Sequence, residues 1–178
     1  MRGKQVYLAA MEKEQCVQYM REDEYDFENV TEALHVGHSP QNGEAWYEEI
    51  QKCQGGTHVR LGIFLCEGTL VGDVALQDID KWNRSCTLGC GLTKLAYRGK
   101  GYATDAVRTI LAYGFDNLGL ERISASTVQH NIGARRSLEK CGFRQEGILR
   151  GASYFAGKRH DKILYGLLRE EWAEALRG

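Results

Sequence analysis

The spacing of apolar residues along the chain predicts helices and strands in roughly equal number. The strongest helical pattern begins near residue 103, repeats every three or four positions, and ends at Gly119. Its apolar members are Ala103, Ala106, Val107, Ile110, Leu111, Gly114, Phe115 and Leu118. Residues 85–93 alternate instead, which predicts a strand with one apolar face formed by Cys86, Leu88, Cys90 and Leu92. A strand followed by a long amphipathic helix is therefore predicted at the centre of the chain.

Weaker patterns complete the predicted order of elements. Strands are predicted over residues 3–10, 58–66, 69–77, 120–128, 143–150 and 160–168, with turns at Glu67-Gly68 and at Gly157. Helices are predicted over 11–24, over 42–53 with Asn42 as the cap, and over 131–141, whereas 25–42 is predicted to be a loop. Hairpins at both ends and a β-helix-β unit between them favour an α/β or α+β fold with a mixed sheet. Because no repeat or linker is visible, residues 1–178 are predicted to form a single domain.

Composition and charge limit the classes of function. The chain has 178 residues, 43% of them hydrophobic, and a formal net charge of −1, so it lacks the basic excess of most nucleic-acid-binding proteins. No apolar run approaches the roughly 20 residues that span a bilayer, and the early charges at the N-terminus argue against a signal peptide. We therefore expect a cytoplasmic protein that binds neither nucleic acid nor membrane. The six cysteines form no Cys-x-x-Cys pair, which predicts reduced, mostly buried thiols and no metal site.

A glycine-rich loop, Arg98-Gly99-Lys100-Gly101-Tyr102-Ala103, joins the predicted central strand to the long helix. Glycines let a ligand approach the backbone closely, and the start of a helix offers free N–H groups and a positive dipole end to a phosphate. The loop is not a Walker A motif, because Gly101 follows Lys100, and it is not a Rossmann fingerprint, because Thr104 replaces the third glycine. It predicts either another kind of phosphate site or a turn that holds no ligand.

Together with motifs further along the chain, this loop resembles the GNAT superfamily of acyl-CoA-dependent N-acetyltransferases. The family pattern Arg/Gln-x-x-Gly-x-Gly/Ala is matched by Arg98, Gly101 and Ala103. Further matches, in order, are Asn131-x-x-Ala134, Leu138-Glu139-Lys140-Cys141-Gly142-Phe143, Glu146-Gly147-x-Leu149-Arg150, Asp161 and Tyr165-x-Leu167-Leu168-x-x-Glu171-Trp172. The later motifs look like the RimJ/RimL-like branch, which acts on ribosomal-protein N-termini. The resemblance spans residues 60–172.

The resemblance implies a single-domain GNAT fold, with a mixed, mostly antiparallel sheet flanked by helices, and acetyl-CoA as cosubstrate. The fourth strand would offer backbone groups to the pantetheine arm, the glycine-rich loop would hold the pyrophosphate, and Asn131 would hydrogen-bond the pantetheine. Arg135 and Arg136 would reach the adenine end, although a solvated helix face explains both arginines equally well. The implied cofactor-binding residues are Cys90, Gly91, Leu92, Arg98, Gly99, Lys100, Gly101, Tyr102, Ala103, Thr104, Asn131 and Arg136.

Three positions at which the family usually carries catalytic groups hold other residues here. Thr87 stands where many members have a glutamate base, Leu138 where many have a tyrosine acid, and Ala134 where the ribosomal branch has a serine. The acid and base are therefore unknown. Weak candidates are Tyr154, His160, Asp161 and Ser137, followed by Asp73, Asp78, His35, His38, Glu48 and Glu49. The acidic segment, residues 22–28, would either attract a cationic acceptor or form a solvated loop.

The missing base favours a weakly basic acceptor. At pH 7 about one α-amine in ten is neutral, compared with fewer than about one lysine side chain in a thousand. We therefore predict direct acetyl transfer to an amine, with a protein N-terminal α-amine as the foremost acceptor. The alternatives are acetylation of a small amine, such as a polyamine, amino acid or aminoglycoside, and a CoA-binding module without catalysis. A monomer and a homodimer are both compatible with the sequence.

Overall fold

A seven-stranded sheet forms the centre of the computed structural model, which describes residues 1–32, 34 and 39–175. The strands are β1 (Val6–Ala9), β2 (Val59–Leu65), β3 (Leu70–Asp80), β4 (Ser85–Leu92), β5 (Arg122–Val128), β6 (Arg144–Phe155) and β7 (Lys158–Leu168). They lie side by side in the order β1-β2-β3-β4-β5-β7-β6. Every neighbouring pair is antiparallel except β4 and β5, which run parallel. The predicted mixed, mostly antiparallel sheet is confirmed.

Helices cover both faces of this sheet. They are α1 (Lys13–Glu22), α2 (Pro40–Cys53), α3 (Tyr102–Ala112), α4 (Ile132–Lys140) and α5 (Arg169–Ala175). α3 continues as a π-helical segment over Tyr113–Asn117, which ends close to the predicted stop at Gly119. On one face, Cys16 of α1 and Trp46 of α2 pack around Phe64 of β2. On the other, Ile110 of α3 belongs to the large buried cluster that contains Val74 of β3. None of the helices in the described part of the chain is long and apolar enough to cross a membrane.

The start of α2 differs from the prediction. The helix begins at Pro40 rather than at Asn42, and Ser39 is its cap. The Ser39 hydroxyl accepts a hydrogen bond from the Asn42 backbone N–H at 3.2 Å. Proline suits the first helical position because an N–H group has no helical partner there. A Ser-Pro start therefore replaces the predicted asparagine cap.

The C-terminal region contains more regular structure than the sequence pattern predicts. β6 and β7 run on to a two-residue turn at Ala156 and Gly157, whose φ angles of 49° and 74° are both positive, as tight hairpin turns require. The helix α5, which the pattern did not predict, follows β7 directly. Its Trp172 is buried, with its ring centroid 6.0 Å from that of Phe115. Packing against the core, rather than local periodicity, therefore fixes this last helix.

The apolar face of β4 is buried over only half of its length. Cys86 and Leu88 are buried, as predicted, but Cys90 is exposed and Leu92 is only half-buried. Three of the six cysteines, rather than most of them, are buried. The change along β4 arises from its neighbour β5, which accompanies only the first part of the strand.

Candidate functional site

A wedge-shaped gap, here called the β4–β5 cleft, opens between the two parallel strands. Among the described residues, β4 and β5 pair at three positions, Ser85 with Arg122, Cys86 with Ile123 and Thr87 with Ser124. Beyond Thr87, β4 continues to Leu92 beside β3, and β5 continues to Val128 beside β7. The facing backbone edges in the cleft are thus left without each other as partners, and they offer N–H and C=O groups to a ligand.

The glycine-rich loop follows the open end of β4. Gly99 and Gly101 have φ angles of 75° and 90°, which residues with a Cβ atom seldom adopt. Gly101 is also the N-cap residue of α3, and it has no side chain with which to cap this helix. The N–H groups of Tyr102, Ala103 and Thr104 therefore have no helical acceptor. Free N–H groups at the positive end of a helix fit a diphosphate such as that of CoA.

Of the two cationic side chains of this loop, Arg98 forms an ion pair within the described part of the chain and Lys100 does not. Arg98 Nη1 lies 2.7 Å from Asp26 Oδ2. Hydrogen bonds from the Asn29 backbone, with the Arg98 charge as a smaller cause, lower the pKa of Asp26. Lys100 is exposed and has no ion-pair partner within the described ranges. The available positive charge of the loop therefore lies on Lys100.

The acidic segment folds against the end of β4 and the glycine-rich loop. Glu22 Oε2 lies 2.8 Å from Lys94 Nζ, and hydrogen bonds from Lys94 and Gln18 lower the pKa of Glu22. Glu24 accepts a hydrogen bond from the Leu95 backbone N–H at 2.8 Å. These contacts, with the Asp26 ion pair, engage three carboxylates of the segment. The segment is nevertheless a loop with Asp23, Glu24, Phe27 and Glu28 exposed, so the solvated-loop prediction agrees with the structure, while at least three of its five carboxylates have partners in the protein.

Helix α4 packs beside the first turn of α3. Thr104 Oγ1 and Ser137 Oγ are 2.9 Å apart, which joins the two helices by a hydrogen bond between side chains. Asn131 caps α4, because its Oδ1 accepts from the Ala134 backbone N–H at 3.1 Å. Its amide NH₂ group remains for the predicted contact with pantetheine. Leu138, at the position of the usual tyrosine, is buried in the core.

The two arginines of α4 point to different surroundings. Arg135 turns inward, with Nε 3.4 Å from the Tyr165 hydroxyl and Nη1 3.2 Å from the Gln129 carbonyl oxygen. Arg136 is exposed. Of the two, Arg136 is therefore the better placed for a ligand, and its contact with the adenine end stays a prediction.

Cys90, Gly91 and Leu92 form the β4 side of the cleft. Cys90 is exposed, yet the surrounding protein raises the pKa of its thiol far above the usual value, and the charge of Asp73 adds to the shift. Both properties fit a residue on the floor of an open cleft. Because a thiol reacts as the thiolate, the raised pKa argues against Cys90 as a nucleophile.

The candidate catalytic residues near the C-terminus lie on the β6–β7 hairpin. The His160 ring stacks on Phe155 at 3.8 Å between centroids, and its Nε2 lies 3.2 Å from the Phe155 carbonyl oxygen. Asp161 accepts a hydrogen bond from the Gly151 backbone N–H at 2.8 Å. Tyr154 is 67% exposed. His160 and Asp161 therefore have structural partners, and a catalytic role for any of the three stays a prediction.

Most of the remaining catalytic candidates lie in separate parts of the structure. Asp78 lies at an irregular point of β3 with a φ of 52°. Glu48 forms an ion pair with a lysine of α1 at 3.1 Å. Glu49 lines a cavity beside α2. His35 and His38 lie outside the described residues.

That cavity, of about 230 Å³, lies between α2 and the strands β2 and β3. Its lining includes the aromatic Trp46, the acidic Glu49 and the basic Arg60. Gln77, also in the lining, stands opposite Thr87 in the pairing of β3 with β4. The cavity thus approaches the inner end of the cleft from the side of α2.

Asp73, one of the weaker catalytic candidates, belongs to a group of polar side chains at the same face whose other members, Tyr19 and Arg60, sequence reasoning missed. Asp73, only 6% exposed, accepts a hydrogen bond from the Tyr19 hydroxyl at 2.8 Å and forms an ion pair with Arg60. The Tyr19 ring packs against Trp46, 5.1 Å between centroids. A Cβ atom on Gly91 would lie 3.3 Å from the Tyr19 hydroxyl oxygen. A signal was present, because an aspartate within the apolar run of β3 needs a buried partner.

Comparison with known proteins agrees with this geometry. The family model for the acetyltransferase (GNAT) domain matches residues 8–144. The "Putative ribosomal N-acetyltransferase YdaF" of Bacillus subtilis (strain 168) is 35% identical over 108 residues, which cover 61% of this chain and 58% of YdaF. The "SPbeta prophage-derived uncharacterized N-acetyltransferase YokL" of the same strain is 29% identical over 172 residues, 96% of this chain and 93% of YokL.

Two solved structures share the fold over nearly the whole chain. Mycobacterium smegmatis RimJ in complex with CoA-disulfide has a TM-score of 0.83 at 23% identity, with coverage of 97% of this chain and 88% of RimJ. Spermidine N-acetyltransferase from Vibrio cholerae, in complex with CoA and spermine, has a TM-score of 0.82 at 22% identity, with coverage of 95% and 98%. Because the family model spans well over half of the chain, this protein belongs to the GNAT family of acetyltransferases.

Proposed function

We propose that this protein transfers the acetyl group of acetyl-CoA directly to the α-amine of a protein N-terminus. As a GNAT acetyltransferase it uses acetyl-CoA as its cosubstrate. The observation that carries the proposal is the β4–β5 cleft, which is open along a free strand edge and has Thr87, rather than a carboxylate, at its inner end.

In this proposal, different residues on the donor side of the cleft bind different parts of acetyl-CoA. The free N–H groups of residues 102–104 and the side chain of Lys100 bind the diphosphate. The free edge of β4 from Cys90 to Leu92 hydrogen-bonds the pantetheine arm, and the NH₂ group of Asn131 binds it from the other side. These residues hold the thioester near the inner end of the cleft.

The chemistry then depends on the acceptor's own ionisation. A neutral amine nitrogen attacks the thioester carbon, the N–C bond forms, the C–S bond breaks, and the CoA sulfur leaves as a thiolate. The proton that nitrogen loses balances the proton that the thiolate gains through water. An α-amine, with a pKa of about 8, supplies the neutral form near physiological pH, whereas lysine, with a pKa of about 10.4, does not. Proximity in the ternary complex supplies a large part of the remaining rate.

The engagement of nearby carboxylates with the protein favours an α-amine over a polyamine. Free carboxylates attract a polyamine, and three of the five carboxylates of the acidic segment, those of Glu22, Glu24 and Asp26, are engaged with the protein. Asp73, the buried carboxylate beside the cavity at α2, is likewise engaged by its ion pair with Arg60. The naming of YdaF as a ribosomal N-acetyltransferase and the similarity in fold to RimJ support the same choice.

Acetylation of a polyamine is the second candidate. Trp46 and Glu49 line the same cavity and combine an aromatic face with a carboxylate, which suits an organic cation. The fold is also shared with a spermidine N-acetyltransferase.

Activity assays with three acceptors, each tested separately, distinguish acetylation of an α-amine from acetylation of a polyamine. The protein is incubated with acetyl-CoA and, in turn, a peptide with a free α-amine and one lysine, the same peptide with a blocked N-terminus, and spermidine. Mass spectrometry with fragmentation locates the acetyl group, which adds about 42 daltons when it replaces a hydrogen. We expect acetylation of the free α-amine alone. Modification of spermidine or of the lysine, or of none of the three, contradicts the proposal.

A further inference from the structure

We propose that the hydroxyl of Tyr19 contacts the acceptor amine in the β4–β5 cleft and orients its nitrogen toward the thioester. This inference rests on the proposed acetyl-CoA site but not on the identity of the acceptor. It assigns a substrate-contacting residue to helix α1, far in sequence from the family motifs.

The Tyr19 hydroxyl lies beside Gly91 of β4. Tyr19 Oη lies 3.3 Å from the point that a Cβ atom on Gly91 would occupy, so the hydroxyl stands directly over the β4 backbone. Gly91 belongs to the segment of β4 that lies beyond the pairing with β5. Because residue 91 has no side chain, a ligand in the cleft can approach this hydroxyl without obstruction from β4.

The hydrogen bond between Tyr19 and Asp73 fixes the direction in which the Tyr19 hydroxyl donates. A tyrosine hydroxyl has one proton to donate and oxygen lone pairs to accept with. The Tyr19 proton is donated to Asp73 Oδ1 at 2.8 Å, so the oxygen presents its lone pairs away from Asp73. An amine N–H donates to such an oxygen, which leaves the nitrogen lone pair for attack on the thioester carbon.

Burial and the charge of Asp73 keep the Tyr19 hydroxyl protonated. Burial, followed by the negative charge of Asp73, raises the pKa of Tyr19 well above its usual value. The phenol therefore stays protonated and does not itself remove the amine proton. Asp73 is fixed in turn by its ion pair with Arg60, whose guanidinium lies 5.7 Å from the Trp46 ring centroid. Tyr19 is held on both sides, by Asp73 through its hydroxyl and by Trp46 through its ring.

Two CoA thioethers test the contact without any turnover. In both, a CH₂–C(=O) bridge joins the CoA sulfur to an amide nitrogen that takes the place of the acceptor. One carries an N-methyl amide, which keeps an N–H, and the other an N,N-dimethyl amide, which has none. By calorimetric titration we expect the native protein to bind the N-methyl compound about 3- to 10-fold more tightly. Tyr19→Phe, which keeps the ring packing on Trp46, should remove that preference.

A matched control is Tyr47→Phe, which removes a hydroxyl from the same helix pair but from a ring that faces Lys13 at 5.7 Å. It should keep the preference for the N-methyl compound. Equal affinity of the native protein for the two compounds overturns the role of Tyr19, whether or not the Tyr19→Phe variant folds. A preference that survives in Tyr19→Phe overturns it as well. If the native protein binds neither compound, the acetyl-CoA site itself is contradicted, and the role of Tyr19 falls with it.

Discussion

At the scale of a single residue, Gly101 shows how the proposed CoA site depends on the backbone conformation of the glycine-rich loop. Its φ of 90° is unfavourable for any residue with a Cβ atom, and a Cβ there would also lie 3.1 Å from Gln5 Nε2. We predict that Gly101→Ala strains the start of α3 by roughly 1–2 kcal/mol and weakens CoA binding in calorimetric titration. Gly147→Ala is the control, since nothing lies within 4 Å of its Cβ position. Unchanged CoA affinity in Gly101→Ala would contradict this role for the loop.

The two cationic residues of the loop give a second prediction at this scale. The sequence assigned the same role to Arg98 and Lys100, but Asp26 already pairs with Arg98. Lys100→Ala should therefore weaken CoA binding and flatten its dependence on salt, because charge interactions are screened over about 8 Å at physiological ionic strength. Arg98→Ala should change the salt slope less. Dissociation constants at several salt concentrations provide the measurement, and equal slopes for the two variants would count against the assignment.

At the scale of elements, Asp105 connects the start of α3 to the N-terminal strand. Its carboxylate accepts hydrogen bonds from the backbone N–H groups of Lys4, Gln5 and Val6 at 3.0, 2.7 and 3.0 Å. Asp105→Asn replaces one acceptor oxygen by a donor, so we expect the free energy of unfolding in urea to fall by about 2–3 kcal/mol. The exposed Asp116 on the continuation of α3 provides the control substitution Asp116→Asn. A loss below about 0.5 kcal/mol, the range of ordinary surface substitutions, would show that the three bonds contribute little.

Elements with strong local signals were predictable, and elements fixed by distant contacts were not. The stripe of α3 and the alternation of β4 follow from side-chain spacing, so their positions agree with the sequence prediction. Periodicity gives no signal for α5, because it is held by the contact of Trp172 with Phe115. The exposure of Cys90 was also missed, since burial along β4 depends on where β5 diverges.

At the scale of the whole molecule, the same distinction separates the two sides of the proposed site. The glycine-rich loop is continuous in sequence, so its motif alone predicts the donor side of the proposed site. Tyr19, Arg60 and Asp73 come from α1, β2 and β3. Strand pairing places Asp73 opposite Gly91, and the packing of α1 over the sheet adds Tyr19. The aspartate within the apolar run of β3 signals a buried partner, but spacing along the chain does not show which residues join it. The acceptor side was therefore the part of the site that the sequence could not predict.

The central claim is that the acceptor amine, rather than a protein base at Thr87, supplies its own neutral form. It is tested most directly by kcat/KM as a function of pH for two peptide acceptors whose α-amines differ in pKa. We predict that kcat/KM rises through the pKa of each acceptor, near 8 for an ordinary α-amine, so that the rising limb moves when the acceptor is changed. A rising limb fixed near pH 6–7 for both acceptors would reveal a protein base and would contradict the account.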